Sequence, residues 1–262
     1  MPGSLSQKMM EKDGCPIHYW TGGAPNAPWV ILLHGAGEDH RAFDPQIPAL
    51  TDRYRILTMD IRGHGMSRPM GAFSVSIATD DLIAVMDREE IDRGAITGQS
   101  LGGNIAQEIA FYHPDRAACL ALTDCFCNTK RYACVRTMVM KRIAPPLLPL
   151  YPWRLAVAVT ATMSAVDPQV QSYLIEAAMT IGKRDYNRIL GATFTCPHYE
   201  KGYHIGKPML LTCGQKDIGM IRCVSQRWAQ EEPGSEFHII PGAAHCANMD
   251  NPAAFNALLT DF

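Results

Sequence analysis

Short apolar runs alternate along the chain with segments in which apolar residues recur every three or four positions. Runs rich in Val, Ile and Leu predict buried strands, and the helical spacing predicts amphipathic helices between them. The predicted strands are residues 29–33, 55–59, 95–97, 118–123, 208–213 and 236–240, preceded by an antiparallel edge strand around 17–21. The predicted helices are residues 76–88, 101–112, 223–230 and 253–262. Such an alternation predicts an α/β fold with a mostly parallel, doubly wound sheet.

The strand pattern stops in the middle of the chain, where apolar, proline-containing sequence gives way to helical segments. The predicted helices of this stretch are residues 153–164, 168–179 and 184–192. Asp167 before Pro168 favours a helix start, because Asp is a good N-cap and proline suits the first helical position. We therefore expect a core of residues 1–124 and 206–262, with residues 125–205 inserted as a helical cap.

Composition and charge narrow the class of protein. With 262 residues, of which 47% are apolar, the chain can bury one sizeable core. The formal net charge is −2 and basic residues form no long cluster, so nucleic acid is not an expected partner. The most apolar region, residues 147–166, is interrupted by Pro149, Pro152 and Arg154, which disfavours membrane insertion.

Residues 1–13 are polar and lack the apolar stretch of a secretory signal, so we expect a soluble, cytoplasmic protein. The nine cysteines are an odd number without a CxxC pair, which is typical of thiols in a reducing compartment. Cys125, Cys127 and Cys134 lie close together, but no fourth ligand follows at a defined spacing, so no metal is expected. The expected partner is a small-molecule substrate, and a homodimer is possible.

The strongest local signal for chemistry is Gly98-Gln99-Ser100-Leu101-Gly102, which lies where a predicted strand meets a predicted helix. A serine at such a strand-to-helix turn is the pattern of a nucleophile elbow. The turn is so tight that the residues two before and two after the serine must be small, and glycine fills both places. The helix that follows directs N–H groups and its positive dipole end toward an oxyanion beside the hydroxyl. These features predict Ser100 as the nucleophile.

A second glycine-rich turn, His34-Gly35-Ala36-Gly37, directly follows the first long apolar strand. Acyl-transfer sites of this type hold the developing oxyanion with two main-chain N–H groups, one after the nucleophile and one in such a turn. The predicted oxyanion-hole donors are therefore the amides of Ala36 and Leu101.

Three motifs follow one another along the chain: His34-Gly35-Ala36-Gly37, Asp60-Ile61-Arg62-Gly63-His64-Gly65-Met66-Ser67 and Gly98-Gln99-Ser100-Leu101-Gly102-Gly103. In these motifs the chain resembles the α/β-hydrolase superfamily, and the resemblance extends over nearly the whole sequence. It is most similar to the small, cap-bearing branch that holds carboxylesterases, enol-lactonases, cofactor-free haloperoxidases or perhydrolases, and carbon–carbon bond hydrolases. The resemblance implies the α/β-hydrolase fold and chemistry without a metal or organic cofactor.

The resemblance also implies an acid after the strand that follows the cap and a histidine after the last strand. Asp217 matches the position of the acid, and Asp124, at the end of the strand before the cap, is the alternative. His245, beyond a Pro-Gly turn, matches the histidine better than His238, which falls within the predicted strand. The resulting chain order of Ser, Asp and His agrees with the order in this fold.

These residues predict a serine hydrolase that cleaves an ester or lactone of a small, largely apolar substrate through an acyl-enzyme. The apolar preference comes from a predicted cap wall: Pro145, Pro146, Leu147, Leu148, Leu150, Trp153, Leu155, Val157 and Val159. A carbon–carbon bond hydrolase or a hydroxynitrile lyase would use the same three residues. A non-enzymatic ligand receptor on the same scaffold is the remaining alternative, because fold alone does not guarantee turnover.

Overall fold

The computed structural model describes residues 5–133, 152–196 and 198–262, which contain one eight-stranded sheet. Its strands are β1 (Ser6–Lys12), β2 (Cys15–Gly23), β3 (Trp29–Leu33), β4 (Arg55–Met59), β5 (Gly94–Gln99), β6 (Ala117–Thr123), β7 (Met209–Gly214) and β8 (Ser235–Ile240). Their order across the sheet is β1-β2-β4-β3-β5-β6-β7-β8. β1 with β2 and β2 with β4 pair antiparallel, and all other neighbours pair in parallel. The predicted, mostly parallel sheet is confirmed.

Helices cover both faces of this sheet. They are α1 (Ile47–Leu50), α2 (Val75–Arg88), α3 (Leu101–Tyr112), α4 (Trp153–Ser164), α5 (Pro168–Ile181), α6 (Lys183–Thr193), α7 (Gly219–Glu231), α8 (Ala247–Asp250) and α9 (Pro252–Asp261). β3 shows why its five residues are all apolar: Ile31 and Leu33 pack into one buried cluster, and Val30 and Leu32 into another on the opposite face. A strand buried on both faces has no position for a polar side chain.

The amino-terminal edge of the sheet differs from the prediction. The strand predicted around residues 17–21 exists as β2, but it pairs on both sides, so the edge strand is β1. Most side chains of β1 are exposed, and the strand includes Gln7, Lys8 and Glu11. Its sequence is polar because pairing with β2, rather than burial, holds it in place, and charged residues on an edge discourage pairing with other chains.

The helices predicted after the strand at residues 118–123 are present as α4, α5 and α6, inserted between β6 and β7. Asp167 caps α5 by accepting a hydrogen bond from the Gln169 N–H, with Pro168 at the first helical position. α7 begins four residues earlier than predicted, at Gly219, and α5 and α6 are each slightly longer. Residues 134–151, which include most of the predicted apolar wall, lie outside the described residues.

The carboxyl ends of the parallel strands gather the loops that carry the predicted site. β3 leads into the His34 turn, β5 into Ser100, β7 toward Asp217, and β8 toward His245. In sheets of this kind, ligands bind at this edge. No helix within the described ranges is long and apolar enough to cross a membrane.

Candidate active site

Ser100 occupies a strained turn between β5 and α3. Its backbone has φ 48° and ψ −109°, in the positive-φ region that a serine rarely adopts. Two hydrogen bonds hold it there: the Ser100 N–H donates to the Thr123 carbonyl at 3.0 Å, and its carbonyl accepts from the Asn104 N–H at 3.1 Å. The strand on one side and the helix on the other therefore fix the direction in which the hydroxyl points.

The glycines of the elbow allow the strand and helix to approach each other. A Cβ on Gly98 would overlap the backbone of Gly102, and a Cβ on Gly102 would overlap the Leu33 carbonyl of the adjacent strand. A Cβ on Gly103 would stand 2.7 Å from the Cys125 sulfur. The requirement for small residues in this turn, predicted from the sequence, thus has a defined steric origin.

We expect Gly98→Ala to destabilise the fold by about 3 kcal/mol, because backbone atoms of α3 cannot move without displacing the elbow. Gly191→Ala is the matched control, since Gly191 lies within α6 and nothing stands within 4 Å of its Cβ position. That control should raise stability by up to about 1 kcal/mol through helix propensity. Urea unfolding of both variants measures the difference, and equal stabilities would show that the elbow tolerates a side chain.

His245 lies between the other two predicted residues. Its Nε2 is 3.1 Å from Ser100 Oγ, and its Nδ1 is 3.0 Å from Asp217 Oδ1. When Nδ1 carries the proton and donates it to the carboxylate, Nε2 is left as the acceptor for the serine hydroxyl. The structure thus brings together the three residues that the sequence predicted.

The loop that carries His245 is held from several directions. Gln99 Nε2 donates to the His245 carbonyl at 2.9 Å, and the Cys246 N–H donates to the Ser164 carbonyl at the end of α4. The Ala244 N–H donates to an Asp250 carboxylate oxygen at 2.8 Å. These bonds join the histidine to the elbow and to the inserted helices, and they limit the positions that the imidazole can adopt.

The two candidate acids have different partners. Asp217 contacts the imidazole and accepts the Ile218 N–H at 2.7 Å, whereas Asp124 accepts the N–H groups of Gly214 at 2.8 Å and Ala247 at 3.1 Å. Asp124 thus ties the loop after β7 to the histidine loop. The geometry favours Asp217 as the acid that orients the histidine, and Asp124 as its buried neighbour.

The electrostatics separate the same two carboxyls. Burial, together with the negative charge of Asp217, raises the pKa of Asp124 well above its ordinary value. Burial also opposes ionisation of Asp217, but the positive charge and hydrogen bond of His245 lower its pKa overall. For His245, burial opposes the charged form, and the neighbouring carboxylates, Asp217 first, outweigh it and raise its pKa to about 9. Burial and the neighbouring imidazole therefore shift the pKa values of the two carboxyls in opposite directions, with Asp217 favoured as the ionised partner of His245.

The glycine turn after β3 lies beside Ser100. His34 is buried, its Nδ1 lies 2.7 Å from the Gly35 carbonyl, and its Nε2 accepts the Ile61 N–H at 3.0 Å. Burial lowers the pKa of His34, so the ring is neutral and serves as a brace for the turn. Ala36 borders the same cavity as Ser100, and Leu101 supplies the first N–H of α3, which has no partner within its own helix.

A cavity of about 250 Å³ opens onto Ser100 and His245. Most of its lining is apolar and comes from the sheet edge, the inserted helices and α7: Phe126, Val157, Ala161, Leu174, Ala178, Leu190 and Ile221. The predicted apolar wall is correct for Val157, but Leu155 and Val159 are 49% and 48% exposed and face away from the cavity. A site of this size suits a small substrate.

The structure also shows which of the other candidate residues lie at the site and which do not. His238 is on β8 with its side chain 40% exposed, 3.3 Å from Glu236, and it does not border the cavity. Glu38 and Gln99, which the motifs did not single out, are both buried at the site, and Glu38 borders the cavity. Their only sequence signal is position, one residue after the His34-Gly35-Ala36-Gly37 turn and one before Ser100.

Two groups of side chains place possible ligand atoms within 4.8 Å of one another: Asp39, His40 and Asp60, and Asp124, Asp217 and His245. In the first group His40 Nδ1 lies 2.7 Å from Asp60 Oδ1, and Asp39 pairs with Arg41. In the second group the carboxylates accept the hydrogen bonds described above. Because protein donors occupy these atoms, we assign neither group a metal.

Comparisons with known proteins agree with this architecture. The sequence profile of the alpha/beta hydrolase family matches residues 30–258. A protein of Caulobacter sp. strain K31 that bears the name carbamate hydrolase RutD is 26% identical, over 95% of this chain and 96% of its own length. A pimeloyl-[acyl-carrier protein] methyl ester esterase of Yersinia enterocolitica is 25% identical, over 89% and 92%.

Among solved structures, the enol-lactonase from Burkholderia xenovorans LB400 superimposes with a TM-score of 0.78 and 24% identity, covering 97% of this chain and 98% of that chain. At this identity the likeness concerns the fold. Because the family profile spans most of the sequence, and the sheet order and strand-to-helix turn fit it, the chain is a member of the α/β-hydrolase family.

Proposed function

We propose that this hydrolase cleaves the ester or lactone bond of a small, largely apolar substrate, with Ser100 as nucleophile. The observation that carries the proposal is a continuous hydrogen-bond chain: Ser100 Oγ lies 3.1 Å from His245 Nε2, and His245 Nδ1 lies 3.0 Å from Asp217 Oδ1. Ser100 and His245 border an apolar cavity. Nucleophile and base within hydrogen-bond distance, with the base oriented by a third group, are what this chemistry requires. The methyl ester esterase among the similar proteins supports the same reaction class.

In the proposed mechanism the Ser100 hydroxyl attacks the substrate carbonyl carbon while neutral His245 accepts its proton through Nε2. Asp217 holds the imidazole in the required tautomer and stabilises the imidazolium that forms. The imidazolium then returns the proton to the leaving alcohol oxygen, which leaves an acyl group on Ser100. A water molecule, deprotonated by the same histidine, hydrolyses the acyl-enzyme and restores the serine.

The negative charge on the carbonyl oxygen would be held by the N–H groups of Ala36 and Leu101. The positive end of the α3 dipole points at the same place, which adds to the stabilisation. Loss of one such donor in comparable sites costs roughly 10²–10³ in turnover. The strained φ of Ser100 supports this assignment, because it lifts the hydroxyl above the helix start where those N–H groups are exposed.

We also propose that α4, α5 and α6 act as the cap of the core and select the substrate. Val157, Leu174 and Leu190, one from each helix, border the same cavity as Ser100. Buried thiols such as Cys15 and Cys213 accord with a cytoplasmic location, which is part of the proposal. The homodimer stays a prediction.

The test is hydrolysis of a series of p-nitrophenyl esters: acetate, butyrate, octanoate and laurate. We expect kcat/KM to rise about tenfold from acetate to butyrate, because each buried methylene contributes about 0.8 kcal/mol, and to fall once the chain outgrows the cavity. Val157→Phe, which places a ring in the cavity, should lower the butyrate and octanoate values and spare acetate. Val159→Phe, on the exposed face of α4, is the control and should leave the series unchanged.

Rates no higher than those of Ser100→Ala for every ester would contradict the proposal. An acyl group trapped on the protein by rapid acid quench identifies the hydrolase, since a hydroxynitrile lyase forms no such intermediate. Cleavage of a vinylogous diketone in preference to all the esters would indicate the carbon–carbon bond hydrolase.

A further inference from the structure

Glu38 is a buried carboxyl group at the active site that the proposed mechanism does not use. The residue is 3% exposed and borders the cavity. Its Oε2 accepts the Gly35 N–H at 2.9 Å, and the Cys246 thiol lies 3.5 Å from its Oε1. Burying a carboxyl group without a cationic partner is costly, so its presence here calls for a role.

Gln99, the residue before Ser100, has one end of its amide paired and the other unpaired. Its Nε2 donates to the His245 carbonyl at 2.9 Å, and its buried Oε1 has no hydrogen-bond partner among the described residues. The missing partner lies close by: a Cβ built on Gly35 would overlap Gln99 Oε1 and stand 2.8 Å from Glu38 Oε1. The two oxygens therefore flank the same side of Gly35, which has no side chain to separate them.

The two possible orientations of the Gln99 amide lead to one protonation state of Glu38. In the orientation with Nε2 on the His245 carbonyl, Gln99 Oε1 and Glu38 Oε1 lie on the same side of Gly35, and a hydrogen bond between them needs a proton on the carboxyl. In the flipped orientation the amide oxygen would face the His245 carbonyl, which carries no proton to share. Among the described side chains near Gly35, a protonated Glu38 is the arrangement that pairs the Gln99 oxygen while Nε2 stays on the His245 carbonyl.

We propose that Glu38 is a positioning residue that is protonated in the active enzyme. Its carboxyl O–H donates to Gln99 Oε1 and so joins the His34-Gly35-Ala36-Gly37 turn to the loop that carries His245. The chain of hydrogen bonds then runs from the Gly35 N–H through Glu38 and Gln99 to the His245 carbonyl. The chain thus links Gly35, which precedes Ala36, and Gln99, which precedes Ser100, to His245. Ionisation of Glu38 removes the central link and places a negative charge beside the site where the oxyanion forms.

The groups that face Glu38 come from three elements. Asp39 lies on its own loop, His245 and Cys246 on the histidine loop, and Tyr173 and Tyr186 on the inserted helices. Burial raises the pKa of both tyrosines and of the thiol, so these three are neutral near pH 7. Arg41 pairs with Asp39. The His245 imidazolium is therefore the cation that ionised Glu38 would face.

The protonation states of Glu38 and His245 are coupled. Burial raises the pKa of Glu38 to about 7, against the opposing effects of the Gly35 N–H and of His245. The fully protonated pair is neutral Glu38 with the His245 imidazolium. Loss of the imidazolium proton gives the active form, in which both groups are neutral, whereas loss of the Glu38 proton gives an inactive carboxylate–imidazolium ion pair. Loss of the second proton leaves Glu38 ionised. The pair should thus titrate in two steps, with activity highest between them.

The activity experiment compares pH profiles of kcat/KM for p-nitrophenyl butyrate in wild type, Glu38→Gln and Glu38→Ala. Glutamine copies the neutral acid, because its carbonyl accepts from Gly35 and its amide donates to Gln99. We expect a bell-shaped profile for wild type and a profile for Glu38→Gln that rises at lower pH and then levels. Glu38→Ala should lose about tenfold or more at every pH, since it leaves the Gly35 and Gln99 groups unpaired.

Glu236→Gln, at a side chain 65% exposed on β8, is the control and should keep the wild-type profile. A falling limb that persists in Glu38→Gln would overturn the proposal. So would a Glu38→Gln enzyme as impaired as Glu38→Ala, because a required negative charge, not a neutral donor, would then explain the residue.

The pH profile rests on the proposed hydrolase function, whereas a second readout does not. The infrared spectrum of wild type minus that of Glu38→Gln isolates this carboxyl group, because all other carboxyl groups are present in both proteins. We expect a protonated-carboxyl band in mildly acidic solution that disappears with a midpoint near the pKa of about 7. A carboxylate band throughout would overturn the proposal, whatever the enzyme hydrolyses.

Discussion

Replacing Ser100 by alanine should lower kcat for the best ester by roughly 10⁶-fold, to the residual rate that the oxyanion donors and binding alone provide. The loss is this large because, among the described residues, Ser100 carries the hydroxyl that lies within hydrogen-bond distance of the imidazole Nε2. Alanine adopts the same positive-φ backbone at similar strain, so the urea midpoint should stay near that of wild type. Steady-state hydrolysis and unfolding curves measure the two effects.

A Ser100→Ala enzyme that keeps a substantial part of its turnover would place the nucleophile elsewhere. If the variant is both inactive and strongly destabilised, loss of the nucleophile and loss of folding would each explain the lost activity. The conservative variant Ser100→Cys then decides between them, because its thiol should still be acylated by an activated ester.

The second large effect is a contrast between two neighbouring acids. Asp217→Asn should lower kcat roughly 10⁴-fold, because an amide in place of the carboxylate favours the wrong imidazole tautomer and cannot stabilise the imidazolium. Asp124→Asn should lower kcat by about tenfold or less, since Asp124 accepts main-chain N–H groups and makes no hydrogen bond with the imidazole. The same ester assay measures both variants.

The rising limb of the pH profile provides an independent check on this contrast. Asp217 is the main group that raises the pKa of His245, so its loss should move the limb to lower pH. Loss of Asp124, which raises the same pKa less than Asp217 does, should move the limb less. Equal losses of kcat in the two variants, or the larger loss in Asp124→Asn, would assign the orienting role to the other acid.

The sequence predicted those strands and helices in which the spacing of apolar residues along the chain matches the burial of their side chains. The five residues of β3 are apolar because both faces of the strand are buried, so the run itself signals a strand. β1 has no such signal, since its side chains face solvent and only main-chain pairing with β2 defines it. α1 and α8, with four residues each, are too short to show helical periodicity.

The candidate site divides in the same way. Ser100 could be found from the sequence because the elbow needs small residues at fixed positions around the serine, and this steric requirement leaves a local trace. Asp217 and His245 could be placed only through their position after particular strands. The roles proposed for Glu38, Gln99 and Asp124 depend on contacts between distant segments, such as Gln99 with the His245 carbonyl, and no local pattern reports such contacts.

The central claim is that Ser100 is the residue that the site activates for attack on an acyl or phosphonyl centre. Reaction of the wild-type protein with a fluorophosphonate probe, followed by mass analysis of the labelled peptide, tests it most directly. We expect one phosphonyl group per chain, attached to Ser100, with no labelling of Ser100→Ala. Labelling of another residue, or equal labelling of the two proteins, would contradict it.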